Sequence, residues 1–242
     1  MVELSKAGIR IADDDIYLNE DRYGDPKEMF KFINLILPKD KVNKGIRWLD
    51  VGCATGEFIY YLKSEFPRDC FTGVDISPAM ITKAAESNPK QRFLCEDLLN
   101  QQIEVTEQYD IVTCTGVLQI FDQIEKPIEN LLALVAAGGI LVITGSFNNH
   151  DVDVLMRYRR TNEAAIWETG WNLFSKATYE GCLENNKKVA EWTWHDFTIP
   201  ISLSEKDDPM RSWTIKTEFN PNQLINGAGQ LLYVKSCLIY VI

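Results

Sequence analysis

The chain has 242 residues, with Lys+Arg 25 against Asp+Glu 35 and a formal net charge of −10. A hydrophobic share of 45% with only 25% charged residues excludes a disordered chain, and the length allows one large domain with a substantial core. The acidic balance argues against a nucleic-acid partner, which needs clustered Lys and Arg, and no stretch approaches the ~18 apolar residues of a membrane span.

In chain order, residues 1–24 are polar and acidic and carry Tyr17 and Tyr23 ahead of a turn at Gly24. Asp25, Pro26 and Glu28 read as the cap, first position and capping-box acid of a helix. Its apolar positions Met29, Phe30, Ile33 and Leu37 keep helical spacing, and Pro38 ends it. From Ile46 onward, Arg47–Val51, Phe71–Asp75, Arg92–Cys95, Tyr109–Cys114 and Ile140–Thr144 read as buried strands, with helices at 56–66, 78–87 and 124–136. Strands that are apolar on both faces and alternate with helices predict a parallel sheet covered on both sides. Residues 148–189 are polar, aromatic and mostly helical in pattern, with no strand expected. Segments 191–199, 210–218 and 231–241 read as further strands, and Asn226-Gly227 as a turn between the last two. Cys53, Cys70, Cys95, Cys114, Cys182 and Cys237 form no CxxC pair, so neither a metal site nor a disulfide framework is expected. With no leader pattern at Met1–Lys6, reduced thiols and a cytoplasmic location are the expectation. Arg157-Tyr158-Arg159-Arg160 reads either as solvated surface or as a lid that meets an anionic substrate.

Four features follow one another as a nucleotide-type ligand would need them. Asp50-Val51-Gly52-Cys53-Ala54-Thr55-Gly56 lies between a strand and a helix, where glycines let the backbone approach a ligand. Asp75, with Ile76, ends the next strand, and an acid there can accept both hydroxyl protons of a ribose. Ser77 and Pro78 open the following helix. Glu96 and Asp97, followed by Leu98, end the third strand and can accept from an adenine amine. Thr115-Gly116 follows the fourth strand and passes the far side of the ligand. The glycine spacing is neither G-x-G-x-x-G nor a Walker A loop, so phosphate and dinucleotide ligands are disfavoured.

These residues resemble the class I S-adenosylmethionine-dependent methyltransferases. The first motif of that family, an acid followed by x-G-x-G-x-G, stands here as Asp50 to Gly56 with Ala54 in place of the middle glycine. Asp75 looks like the ribose-binding acid and Asp97 like the adenine-contacting acid. Tyr109–Val112 with Gly116-Val117-Leu118, then Gly138–Ile143, are similar to the fourth and fifth strand motifs. The resemblance covers about 44–147. It implies an α/β, doubly wound, seven-stranded and mostly parallel Rossmann-like sheet, with the last strand antiparallel. A single domain is expected: an N-terminal helical cap over 1–40, a cofactor core over 44–147, an acceptor-site insertion over 148–189 after the fifth strand, and completing strands over 190–242. S-adenosyl-L-methionine is the cofactor it implies, with S-adenosyl-L-homocysteine as product. Asp50, Gly52, Cys53, Ala54, Gly56, Asp75, Ile76, Asp97, Leu98, Thr115 and Gly116 are the expected cofactor contacts, Asp50 by orienting loop amides.

The implied activity is methyl transfer to oxygen or nitrogen of a small polar metabolite such as a sugar or envelope precursor, in a monomer or a dimer. The alternatives are a non-catalytic S-adenosylmethionine-binding regulatory module and a protein or nucleic-acid methyltransferase. His150, after the fifth strand, reads as a general base or as plain loop. Trp167, Trp171 and Asn172 form either an acceptor pocket or simple packing, and Tyr17 and Tyr23 either a lid over the sulfonium or a surface arm.

Overall fold

The computed structural model describes residues 8–9, 14–99, 103, 106–159, 161 and 167–242. Its main sheet contains β1 (Arg47–Val51), β2 (Cys70–Asp75), β3 (Arg92–Cys95), β4 (Tyr109–Thr115), β5 (Val135–Ser146), β6 (Val189–Phe197) and β7 (Val234–Val241). The spatial order is β3-β2-β1-β4-β5-β7-β6. Strands β1 to β5 pair in parallel, and β7 runs antiparallel to both of its neighbours. The sheet reverses direction of growth between β1 and β4, which opens a crevice beyond their carboxyl ends.

Helices α1 (Asp14–Asn19), α2 (Glu28–Ile36), α3 (Glu57–Glu65), α4 (Pro78–Ser87), α5 (Glu125–Leu134) and α6 (Lys176–Glu184) complete the fold. Successive strand residues point to opposite faces. Trp48, Ile111, Ile140 and Val142 therefore join one core with Ile33, Ile59 and Leu62 of α2 and α3. Leu49, Val112, Leu141 and Ile143 join the other with Leu131, Leu132 and Tyr179 of α5 and α6. Both faces are covered, which is why these strands carry apolar residues without alternation.

Helix α4 runs over the expected 78–87, and α3 and α5 lie inside their expected spans. Elsewhere the structure corrects the reading. Helix α2 starts at Glu28 with Lys27 as its cap residue and no side-chain cap, so Asp25 and Glu28 form no capping box. The entry is set instead by buried Glu57, which accepts from Arg22 N at 3.1 Å and pairs with Lys27 Nζ at 3.3 Å. Between 148 and 189 the described residues hold short strands and a single helix, α6. Arg157–Tyr158 pairs antiparallel with Glu168–Thr169, which pairs parallel with Gly8–Ile9. Segment 210–218 keeps only Trp213–Ile215 as strand, in a separate ribbon with Gln223–Ile225 and Leu231–Leu232. Segment 231–241 accordingly divides into Leu231–Leu232 and β7. Arg160 lies outside the described residues. The cysteines are free, and burial pushes the Cys53, Cys114 and Cys237 thiols up. Among the described residues no helix is long and apolar enough to cross a membrane.

Candidate functional site

The loop leaving β1 turns through left-handed backbone at Gly52 (φ 77°), Ala54 (φ 46°) and Gly56 (φ 77°). A Cβ at Gly52 would stand 2.3 Å from Val117 Cγ2, so the position requires glycine for room as well as for φ. Gly52 N and Cys53 N donate to Val74 O at 2.8 and 3.0 Å, which locks the loop to the end of β2. One Asp75 oxygen accepts from Ala54 N and the other from Ser77 N, each at 2.9 Å. Asp75 thus ties the glycine loop to the start of α4, where Ser77 Oγ caps Met80 N. Asp50 is buried and accepts from Thr113 Oγ1 at 2.7 Å. Burial pushes its carboxyl up to about 7, against the lowering effect of the Thr113 bond and with a smaller push from Asp75.

Beyond this loop lies a cavity of about 420 Å³, walled by Gly52, Ala54, Asp75, Ile76, Asp97, Leu98, Thr115 and Gly116, together with Tyr17, Glu96 and Met80. Asp97 also accepts from Leu99 N at 3.2 Å, so it serves as a local cap and a cavity wall at once. A second cavity of about 230 Å³ adjoins the first and shares Tyr17, Thr115, Gly116 and Ile120 with it. Met29, Gln119, Ser146, Trp171 and Arg211 line its remainder. The Thr115 Oγ1 and Gln119 Oε1 atoms are buried with no hydrogen-bond partner. Such atoms are rare in a folded chain, and here both belong to residues that line the cavities. Gln119 lies across β5 because position 145 is glycine: a Cβ there would be 1.8 Å from Gln119 Nε2. Tyr17 is fixed from below by Lys83 of α4, whose Nζ donates to the carbonyls of Tyr17, Leu18 and Glu20 at 3.3, 2.6 and 3.0 Å.

The expected site residues divide accordingly. Gly52, Ala54, Asp75, Ile76, Asp97, Leu98, Thr115 and Gly116 line the first cavity, Trp171 the second, and Tyr17 both. Asp50, Cys53 and Gly56 line neither. Asp50 orients no loop amide and is bonded to β4, and Gly56 serves as the left-handed residue ahead of α3. The Tyr23 hydroxyl donates to Thr55 O at 2.8 Å, which pins the ring against Tyr60 outside the cavities. His150 is exposed in a turn held by Asn148 and lines neither cavity. Trp167 lies under Arg159 at 5.2 Å and lines neither. Asn172 is fully buried and structural: its Nδ2 donates to Phe121 O at 2.6 Å and its Oδ1 accepts from Met156 N at 2.7 Å. Gln119 and Arg211 are the residues that the sequence reading missed. A glycine inside an otherwise bulky strand run, at 145, was the one local signal for Gln119.

The family model described as a methyltransferase domain matches residues 49–141, which run from β1 into β5. The chain is 31% identical over 104 residues to malonyl-acyl-carrier-protein O-methyltransferase of Bacillus anthracis, covering 42% of this chain and 38% of that one. It is 30% identical over 108 residues to trans-aconitate 2-methyltransferase of Variovorax paradoxus strain S110, covering 45% and 41%. It therefore spans about two fifths of the length of these curated relatives. Among solved structures, magnesium protoporphyrin IX methyltransferase from Synechocystis PCC 6803 with bound S-adenosylhomocysteine has the same fold. The TM-score is 0.55 at 14% identity, over 88% of this chain and 81% of that one.

Proposed function

We propose that the chain, whose residues 49–141 match the methyltransferase-domain model, is a class I S-adenosylmethionine-dependent methyltransferase that moves a methyl group onto oxygen or nitrogen of a small polar metabolite. The observation that carries this reading is the pair of adjoining cavities at the carboxyl edge of the sheet, meeting at Tyr17, Thr115, Gly116 and Ile120. A sensor of the adenosyl ligand has no need of the second one.

The residues fit the cofactor chemically. Asp75 offers carboxylate oxygens to ribose hydroxyls, Asp97 to an adenine amine, and the orphaned Thr115 Oγ1 needs a polar partner. The glycine loop and Gly116 would flank the amino-acid end. Bound there, S-adenosylmethionine supplies a sulfonium methyl carbon open to in-line attack. The acceptor's lone pair forms the new bond to carbon, and the carbon–sulfur pair returns to sulfur. The chain's part is to hold the acceptor in line, worth ~7–11 kcal/mol as effective molarity, and to keep water out where opposite charges cancel.

Among the described residues, the side chains lining the second cavity include no carboxylate and no histidine. That lining suits an acceptor atom that arrives already deprotonated, as a carboxylate oxygen or a neutral amine does.

The test is calorimetry with S-adenosylhomocysteine, NAD and ATP, followed by transfer of a tritiated methyl group to acids, amines and polyols. Binding of S-adenosylhomocysteine with label transfer to one class is expected. Binding without any transfer would leave the regulatory-module reading, and binding of NAD or ATP instead would overturn the proposal.

A further inference from the structure

We infer that the second cavity takes a compact amine and that Gln119 Oε1 receives its N–H, which narrows the acceptor atom to nitrogen; this rests on the methyl-transfer reading of the adjoining cavity. Two buried oxygens of the lining residues lack a hydrogen-bond partner. Gln119 belongs to the second cavity, and Thr115 to the wall that the two share. A hydroxyl donates or accepts, so Thr115 Oγ1 can answer almost any polar group. An amide oxygen only accepts, so Gln119 Oε1 calls for a donor on the ligand.

Gln119 is built in. It is 8% exposed and sits in the short turn Leu118–Ile120 after β4, where its carbonyl accepts from Asn172 N at 2.9 Å. Its side chain lies over Gly145, and Nε2 donates to Ser146 O at 3.4 Å. Exchanging the two amide atoms would set oxygen against oxygen, so the contact with Ser146 fixes Oε1 as the unspent atom. A carboxylate brings that oxygen only another acceptor. An amine brings N–H groups and, once neutral, a lone pair as well. With one N–H held on Gln119, the lone pair of the nitrogen forms the bond to the methyl carbon and the carbon–sulfur pair returns to sulfur. The methylammonium so formed releases a proton to water. In a chain of net charge −10 the field draws a cationic amine and repels a carboxylate. Arg211 in the same wall does not reverse this, because Glu20 Oε1 pairs with it at 3.8 Å. Met29, Ile120 and Val234 provide apolar wall for a carbon skeleton, and a volume of about 230 Å³ limits it to a small one.

The experiment compares butylamine with butyrate, and benzylamine with benzoate, by calorimetry on protein saturated with S-adenosylhomocysteine. At least one amine is expected to bind, and to accept a tritiated methyl group from S-adenosylmethionine, while its carboxylate does neither. Gln119→Met keeps the length of the side chain and removes its oxygen. It should weaken amine binding ~10–100-fold, the size of one lost hydrogen bond to a charged group, while S-adenosylhomocysteine affinity stays within about threefold. Gln119→Glu keeps an accepting oxygen and should bind the amine within about threefold of wild type or more tightly. No amine binding, equal binding of amine and carboxylate, or unchanged amine affinity in folded Gln119→Met would each overturn the inference with the methyl-transfer reading intact. Should Gln119→Met fail to fold, the wild-type comparison and Gln119→Glu decide. Failure of the wild type to bind S-adenosylhomocysteine would instead strike the reading on which the inference rests.

Discussion

Two aspartates a strand apart behave in opposite ways because their surroundings differ. Asp75 takes one backbone amide on each oxygen, so Asp75→Ala removes a ligand contact and also loosens the glycine loop. Affinity for S-adenosylhomocysteine should fall at least tenfold by calorimetry with the far-ultraviolet spectrum unchanged; unaltered affinity would remove Asp75 from the site. Asp50 carries its proton to about 7 when folded, against an ordinary 3.8. The folded value is the higher one, so its contribution is fully present below about pH 4 and is lost as pH rises through 7, on the order of 4 kcal/mol in all. Asp50→Asn keeps an acceptor for Thr113 and abolishes that titration. Its melting temperature should therefore fall less than the wild type's between about pH 5 and pH 8, and parallel curves would refute the assignment. His150→Ala should leave methyl transfer within about twofold of wild type. Much of the first cavity's lining was readable from sequence because its acids and glycines stand where strands end, a local property. Asp50 has the same residue type and motif, yet only the packed structure shows that β4 takes its side chain.

At the scale of elements, the parallel strands were legible because burial on both faces strips them of polar residues. The pairing of Arg157–Tyr158 with Glu168–Thr169, and of the latter with distant Gly8–Ile9, was not, since two-residue strands are too short to show an alternation. Tertiary pairing also overrode local signals at α2, where Glu57 fixes the chain's entry in place of Asp25. The wall of the second cavity depends on an interlock between β5 and the turn after β4. Gly145→Ala would drive a methyl group into Gln119, and the variant should lose acceptor turnover more than tenfold while binding S-adenosylhomocysteine normally. Asn172 bridges the insertion to the same turn. Asn172→Ala strands Phe121 O and Met156 N, at about 1–3 kcal/mol for each buried group, and should lower the melting temperature by several degrees.

For the whole molecule, ligand binding and stability are linked. S-adenosylhomocysteine at ~100 times its dissociation constant stabilises by ~2.7 kcal/mol, which for a chain of this size is a rise of roughly 5–10 °C in melting temperature. NAD at the same concentration should give none. The five parallel strands were readable from the rhythm that runs through 44–147 and the seven-stranded sheet from the family resemblance, whereas the second cavity is assembled from Tyr17, Met29, Trp171, Arg211 and Val234, which no short window contains.

That assembly has an evolutionary corollary. Five of the residues lining the second cavity, Tyr17, Met29, Trp171, Arg211 and Val234, lie outside the stretch 49–141 that the methyltransferase-domain model matches. Under the proposed reaction, exchange of a few residues there should change the acceptor while the first cavity stays untouched. A chimera that keeps β1 to β5 and borrows the flanks of a relative should inherit the donor's appetite.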